Sequence, residues 1–429
     1  MPFVPQRTVA LVLPRWFAAA SLCFVLLLGL YYSFTNNDVN RAPGETGLSA
    51  LALLHTGVIA DPYLLPTGPT AHTAPGTVAE LAALYAVFGG NTGSARIGLS
   101  LIATLLYLSA TLVVLAYCRI RRFGAAGLAV AIGLTCLVPV HLYASVVSYR
   151  QWDQPIAAVL LVALLFIWTR PQSDHLSRVR RLYLLALLGG IGSLFAPAVP
   201  IVAMLALAAL ALQEKAWRHP ALAATLIIAS MMPWAVRNEL VLGKFIMTRS
   251  NFALELAVGN YDGATGTFDL SAVPPVHPHD FPAAAQRLAA VGEVAYMNEM
   301  RMRALAWIRA HPAEFFRLSL RRVRLLLFPE HADRDPLFTR VKTRVIWGTS
   351  LLALFSLGAV LVRRQPVFPW IACIGVPLAP YLLTHASERY AYPTFYVMVC
   401  LIATGTEMLQ QLLRARWNHA KSVKAKHFC

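Results

Sequence analysis

Several polar residues stand where apolar runs of this chain begin or end. The stretch THASERYAYPTF, Thr384 to Phe395, gathers His385, Glu388, Arg389 and Tyr390 between an apolar run ending near Leu383 and another resuming at Tyr396. A guanidinium and an imidazole at such an edge can hold an anion where water is partly excluded. Glu45 follows Pro43 and Gly44 at the start of a periodic apolar segment, and Asp153 precedes Pro155 at the start of another. A carboxylate so placed can take a proton from a bound hydroxyl. It can equally cap a helix or face the positive end of its dipole. Asp38 and Asp61 sit among turn-forming residues, which favours the structural use for both. His72, in GPTAHTAPG, is placed to contact an anionic ligand.

Two further groups could complete a site. VHPHD offers His277, His279 and Asp280 at a spacing that can chelate a metal, although a metal centre needs a fuller ligand set with ordered support. The segment from Pro233 to Asn260 alternates polar groups, among them Arg237, Asn238, Arg249 and Glu255, with aliphatic ones. That pattern fits an extended wall over a membrane-embedded cavity.

The elements that must position these residues are membrane helices. The 429 residues are 58% hydrophobic and 13% charged, where a soluble domain carries about 25% charged residues. Ten apolar segments are candidate spans, at residues 11–32, 97–117, 125–145, 155–168, 182–195, 198–212, 221–236, 345–362, 368–384 and 393–413. FAPAVP, with Pro197 and Pro200, divides a run too long for one span. The six cysteines lie in apolar runs or beside basic loops, so no disulfide framework is expected.

The formal net charge of +17 invites a nucleic-acid reading. Much of it, however, lies in short loops such as CRIRRFG, RPQSDHLSRVRR and VRRQP and in the tail RARWNHAKSVKAKH, all on one side of the threading. Lysine and arginine collect there on the cytoplasmic side, which places both termini in the cytoplasm and leaves no call for nucleic acid. The other side receives residues 33–96, the short SVVSYRQWDQ and residues 237–344. Within 33–96, helices are expected from about Glu45 to Thr56 and Thr77 to Phe88, lying along the interface. PAEFFRLSLRRVRLLLFP reads as a basic amphipathic helix, with Phe316, Leu320, Val323 and Leu327 on one stripe and Arg317, Arg321 and Arg324 on another. The expected organisation is an N-terminal membrane module (1–236) with a first outer loop (33–96), a small, mainly helical outer segment (237–344), C-terminal spans (345–413) and a basic tail (414–429). Glu407 is the clear ionisable exception within the spans, so any chemistry belongs to the outer face.

Taken together, these segments resemble bacterial polytopic glycosyltransferases of the GT-C fold, the group that includes protein mannosyltransferases and aminoarabinose transferases. The resemblance runs through most of the chain and is carried by ETGLSALALLHTGVIADPYLLPTGPTAHTAPG from Glu45, PWAVRNELVLGKFIMTRSNFALELAVGN from Pro233, WIRAHPAEFFRL from Trp307 and HASERYAYP from His385. It implies an all-α polytopic membrane enzyme of the bacterial inner membrane. Such an enzyme transfers a sugar from a polyprenyl-phosphate donor to a lipid, polysaccharide or protein acceptor of the cell envelope.

By that resemblance an acidic residue of the first outer loop is the base, and a second acidic position precedes the fourth span. Glu45 and Asp153 match, and Asp38 is a third candidate because this loop lacks the adjacent Asp-Glu pair of several branches. Arg389 matches the cation that contacts the lipid phosphate. His72, Tyr390, Arg237, Asn238, Arg249 and His385 are expected around the same ligand, and a divalent metal is left open. Two rivals explain the same composition. One is a lipid or solute transporter, against which stand the uneven outer loops and the lack of an inverted repeat. The other is an inactive subunit of an envelope-assembly complex.

Overall fold

A computed structural model of the protein describes residues 15–36, 43–171, 174–331 and 335–426, and Asp38 lies outside them. Among these residues the chain is helical, with only two isolated bridges, Ala60 with Pro69 and Thr267 with Ala386. The first long helix, α1 (Arg15–Thr35), leads to two shorter ones at one end of the bundle, α2 (Glu45–Thr56) and α3 (Pro75–Phe88). Both start at or just after Pro or Gly. Gly57 ends α2 in the left-handed region, φ +73°, and its N–H closes the last turn on Leu53 O; only glycine takes that conformation without a Cβ penalty.

Next come α4 (Gly93–Ile120), α5 (Ala125–Cys136) and α6 (Pro139–Tyr143), which runs into a single π turn over Ala144–Ser148. Pro139 cannot continue the hydrogen-bond ladder of α5, and the two helical pieces are bent by 44°. Then follow α7 (Gln154–Thr169), α8 (His175–Ser193), α9 (Ala198–Glu214) and α10 (Arg218–Leu242). The break at FAPAVP falls between α8 and α9, as the prolines require. The second polar stretch carries α11 (Phe252–Gly259), α12 (Pro282–Val291), α13 (Glu293–Ala310) and the amphipathic α14 (Pro312–Leu327). The chain closes with α15 (Leu337–Val362), α16 (Phe368–Leu383), the short α17 (Glu388–Ala391) and α18 (Phe395–Lys426).

Within the described residues each of the ten apolar segments falls on a helix, but ten full spans are not confirmed. Among the described residues, five helical runs are long and apolar enough to cross a membrane, α1, α4, α10, α15 and Glu388–Asn418, or six if the bent pair α5–α6 counts as one. The helices α7, α9 and α16 are apolar but only 16 or 17 residues long, roughly 25 Å at 1.5 Å per residue, short of a hydrocarbon core of about 30 Å. α8 begins with a basic first half, HLSRVRR.

α7 is the hub. Its sequence QPIAAVLLVALLFIWT is apolar on all sides because it packs against α4, α8, α9, α16 and α18. Its first turn therefore fixes Trp152 and Asp153 at the end of the bundle where α2, α3 and α11 to α14 gather.

Candidate active site

Two cavities that share lining residues lie at that end. One, about 350 Å³, lies among the ends of α7, α9 and α16 and is lined by His72, Asp153, Arg249, Tyr381 and Tyr390. The other, about 1020 Å³, lies under the loops and is lined by Phe268, His277, His279, Asp280, His385 and Glu388. Glu45, Trp152, Glu255 and Arg389 line both and form the waist between them.

Glu45 is the first residue of α2, and histidines flank it. His72 Nε2 is 3.1 Å from Oε2, and His277 Nε2 is 3.8 Å from Oε1. His72 is oriented in turn by the Tyr63 hydroxyl, 3.1 Å from Nδ1. Burial alone would raise the Glu45 carboxyl, but the charge and hydrogen bond of His72, with the nearby His277 and His279, hold it below its ordinary value. Burial pushes His72 the other way, and Glu45, with Glu293 and Glu255, raises it. The pair is thus an ion pair. Only Oε2 is engaged: Oε1 is buried with no hydrogen-bond partner among the described residues.

The loop bearing His72 is tied down from a distance. Glu293, at the start of α13, accepts from Thr70 Oγ1 and, at 2.9 Å, from the Ala71 N–H. Arg237 donates to Thr70 O at 2.8 Å and Ile59 O at 2.7 Å, and the Asn238 amide donates to Ile246 O at 2.8 Å. Arg237 and Asn238, expected around the phosphate, therefore line neither cavity. They staple backbone carbonyls that would otherwise be left without donors.

On the opposite wall the Arg389 guanidinium lies 4.6 Å from the Trp152 ring centre and 4.8 Å from that of Tyr390. Its Nη2 donates to the Tyr390 hydroxyl at 2.9 Å, and that hydroxyl lies 3.0 Å from His385 Nε2. Tyr381 stacks on Tyr390 at 3.7 Å. Burial, opposed by Glu255, lowers His385, which leaves Nε2 free to accept and Nδ1 facing Glu255 Oε2 at 3.6 Å. Among the described residues no carboxylate oxygen lies within 4.0 Å of Arg389. Stacked and unpaired, it presents a positive edge to the waist.

Asp153 is on the helix-side wall, but its carboxylate makes no side-chain cap; Oδ2 accepts from Arg249 Nη2 at 2.8 Å, and the same nitrogen donates to Phe195 O at 3.0 Å. The structure thus brings Glu45, Asp153, His72, Arg249, Arg389, Tyr390 and His385 to one double cavity. Of the three VHPHD side chains, His277 turns to Glu45, and among the described residues no group of three or more His, Cys, Asp or Glu converges on a metal position. Tyr63 and Glu293 were not foreseen; their partners are set by loop closure, and no local spacing signals them.

No protein-family model and no curated protein matches the chain. Solved structures do resemble it over most of its length. One is the archaeal oligosaccharyltransferase AglB from Archaeoglobus fulgidus in complex with an inhibitory peptide and a dolichol-phosphate (16% identity, 96% of this chain and 52% of that chain, TM-score 0.49). Another is ArnT from Cupriavidus metallidurans, in the apo state (15% identity, 91% and 78% of the chains, TM-score 0.39) and bound to undecaprenyl phosphate (14%, 92% and 78%, TM-score 0.39). Both are membrane glycosyltransferases of the GT-C fold. The chain spans about half the length of the oligosaccharyltransferase.

Proposed function

We propose that this protein is an integral membrane glycosyltransferase. It moves a sugar from a polyprenyl-phosphate donor to a hydroxyl of an envelope acceptor at the outer face of the bacterial inner membrane, with both termini cytoplasmic. The observation that carries the reading is the waist. A buried carboxylate oxygen, Glu45 Oε1, and a stacked guanidinium, Arg389, border the same two cavities, and among the described residues the first has no hydrogen-bond partner and the second no carboxylate partner.

The chemistry follows from charge. The lipid phosphate sits in the helix-side cavity against Arg389, with its chain toward the apolar helices. The acceptor hydroxyl gives its proton to Glu45 as its oxygen bonds to the anomeric carbon. The bond from that carbon to the phosphate oxygen breaks with its electron pair, and the guanidinium stabilises the charge that leaves. His72 keeps Glu45 ionised and aimed, and Asp153 holds Arg249 in the wall.

The test is a reconstituted assay with radiolabelled polyprenyl-phosphate glucose, mannose and galactose, following label transfer and release of polyprenyl phosphate. Wild-type turnover with at least one donor is expected, falling about 10²-fold or more in Glu45→Gln. Undiminished turnover in that variant overturns the assignment of the base, and no turnover with any donor overturns the function.

A further inference from the structure

The orphan oxygen of Glu45 has a neighbour on the loop side. His277 Nε2 is 3.8 Å from Glu45 Oε1, too far for a hydrogen bond between them. Two such atoms can both be reached by one oxygen at ordinary hydrogen-bond distances of about 2.7 to 3.0 Å. His277 is held for this. It is 9% exposed, its ring meets Tyr63 and Phe268 edge-on, and it lines the loop-side cavity. Its Nδ1 accepts from the His279 backbone N–H at 3.3 Å, with Asp280 Oδ2 3.5 Å away. An Nδ1 that accepts this hydrogen bond leaves the ring N–H at Nε2, pointing toward Glu45.

Resting on the proposed function, we propose that His277 is the second half of the acceptor site. The acceptor hydroxyl donates to Glu45 Oε1 and accepts from His277 Nε2–H, entering from the loop-side cavity. One lone pair of that oxygen is then occupied by His277, its proton faces the base, and the remaining lone pair is the nucleophile. The proton passes to Glu45, the new bond joins the acceptor oxygen to the anomeric carbon, and the phosphate departs with the electron pair. Throughout, His277 keeps its proton. The arrangement selects an acceptor with a hydroxyl able to donate and accept at once, and it excludes one whose oxygen is alkylated.

The experiment separates acceptor from donor. With n-octyl β-glucoside as the acceptor probe, His277→Ala is expected to raise the acceptor KM about 3- to 10-fold, the worth of one neutral hydrogen bond, and to leave the donor KM unchanged. His277→Gln, which restores an N–H donor, recovers part of the loss. Thermal unfolding in detergent checks that both variants fold, and the Gln variant keeps the comparison open if Ala does not. An acceptor KM unmoved in both variants, or a donor KM rising in parallel, overturns the proposal while wild-type transfer leaves the function standing. Absence of polyprenyl phosphate release by the wild type removes the function and this site with it.

Discussion

His72 Nε2 and Glu45 Oε2 meet 3.1 Å apart in a buried ion pair that joins the loop after α2 to the first turn of that helix. Its contribution to stability has a pH window with a definite sign. Glu45 is depressed from 4.5, so its share is present above that value and is lost as pH falls through the folded one. His72 is raised from 6.5, so its share is full below that value and is lost as pH rises through the folded one. Both are intact between about pH 4.5 and 6.5. In detergent the Tm advantage of wild type over the Glu45→Gln, His72→Gln double variant should be largest in that window and narrow as pH rises through the folded value of His72. An advantage that grows with pH would contradict the pair.

Arg389 is held by its faces, between Trp152 and Tyr390. A lysine keeps the charge but has no flat group to fill that slot and no fork to present to a phosphate. Arg389→Lys should therefore behave more like Arg389→Ala than like wild type. Both are expected to lose about 10²-fold or more in polyprenyl phosphate release, with Trp152→Ala falling in between. Near-wild-type rates in Arg389→Lys would mean that only net charge counts at this wall.

How much of this site could be read from the chain depends on how local each cause is. Glu45 at the start of α2, the break at Pro197 and the amphipathic α14 were legible because proline, glycine and apolar period act within one or two turns. Whether α14 would bury an arginine was not. The stripe of Arg317, Arg321 and Arg324 is exposed, as its period predicts, but the adjacent Arg322 is fully buried and donates to Leu382 O, Leu383 O, Gly259 O and Asn260 Oδ1. Burial pulls its guanidinium down to about 10, so it stays charged at neutral pH. Its partners lie at the ends of α16 and α11, some 60 residues away in sequence on either side, and no periodicity records them. The count of ten spans is not confirmed for a related reason: α7, α9 and α16 are apolar but short, α7 is packed against neighbours, and hydropathy cannot distinguish such packing from lipid.

Asp153 and Arg249 offer a test between two roles for one carboxylate. If Asp153 acts by anchoring Arg249 through the 2.8 Å contact, Asp153→Asn and Arg249→Gln should lower turnover by similar factors. The double variant should then be little worse than either single one, as for residues acting as a unit. If Asp153 were itself the base, Asp153→Asn would match Glu45→Gln and far exceed Arg249→Gln. The anchoring role predicts that Glu45→Gln remains the most damaging of the three.

The turn that carries His385 and Arg389 rests on a backbone contact with α11. A Cβ placed on Gly259 would stand 1.9 Å from Thr384 O, and Arg322 and the Asn260 amide bind the carbonyls on either side of that contact. Neither strand of backbone can yield without breaking those bonds, so Gly259→Ala should cost about 3 kcal/mol, the scale of overpacking in a close-packed site. Because the displaced segment leads directly into Arg389, turnover should fall with stability. Gly348 in α15 has open space where its Cβ would go, so Gly348→Ala should leave both nearly unchanged. Thermal unfolding and donor turnover of the two variants side by side decide the matter, and equal behaviour would show that the α11 contact does not hold the turn.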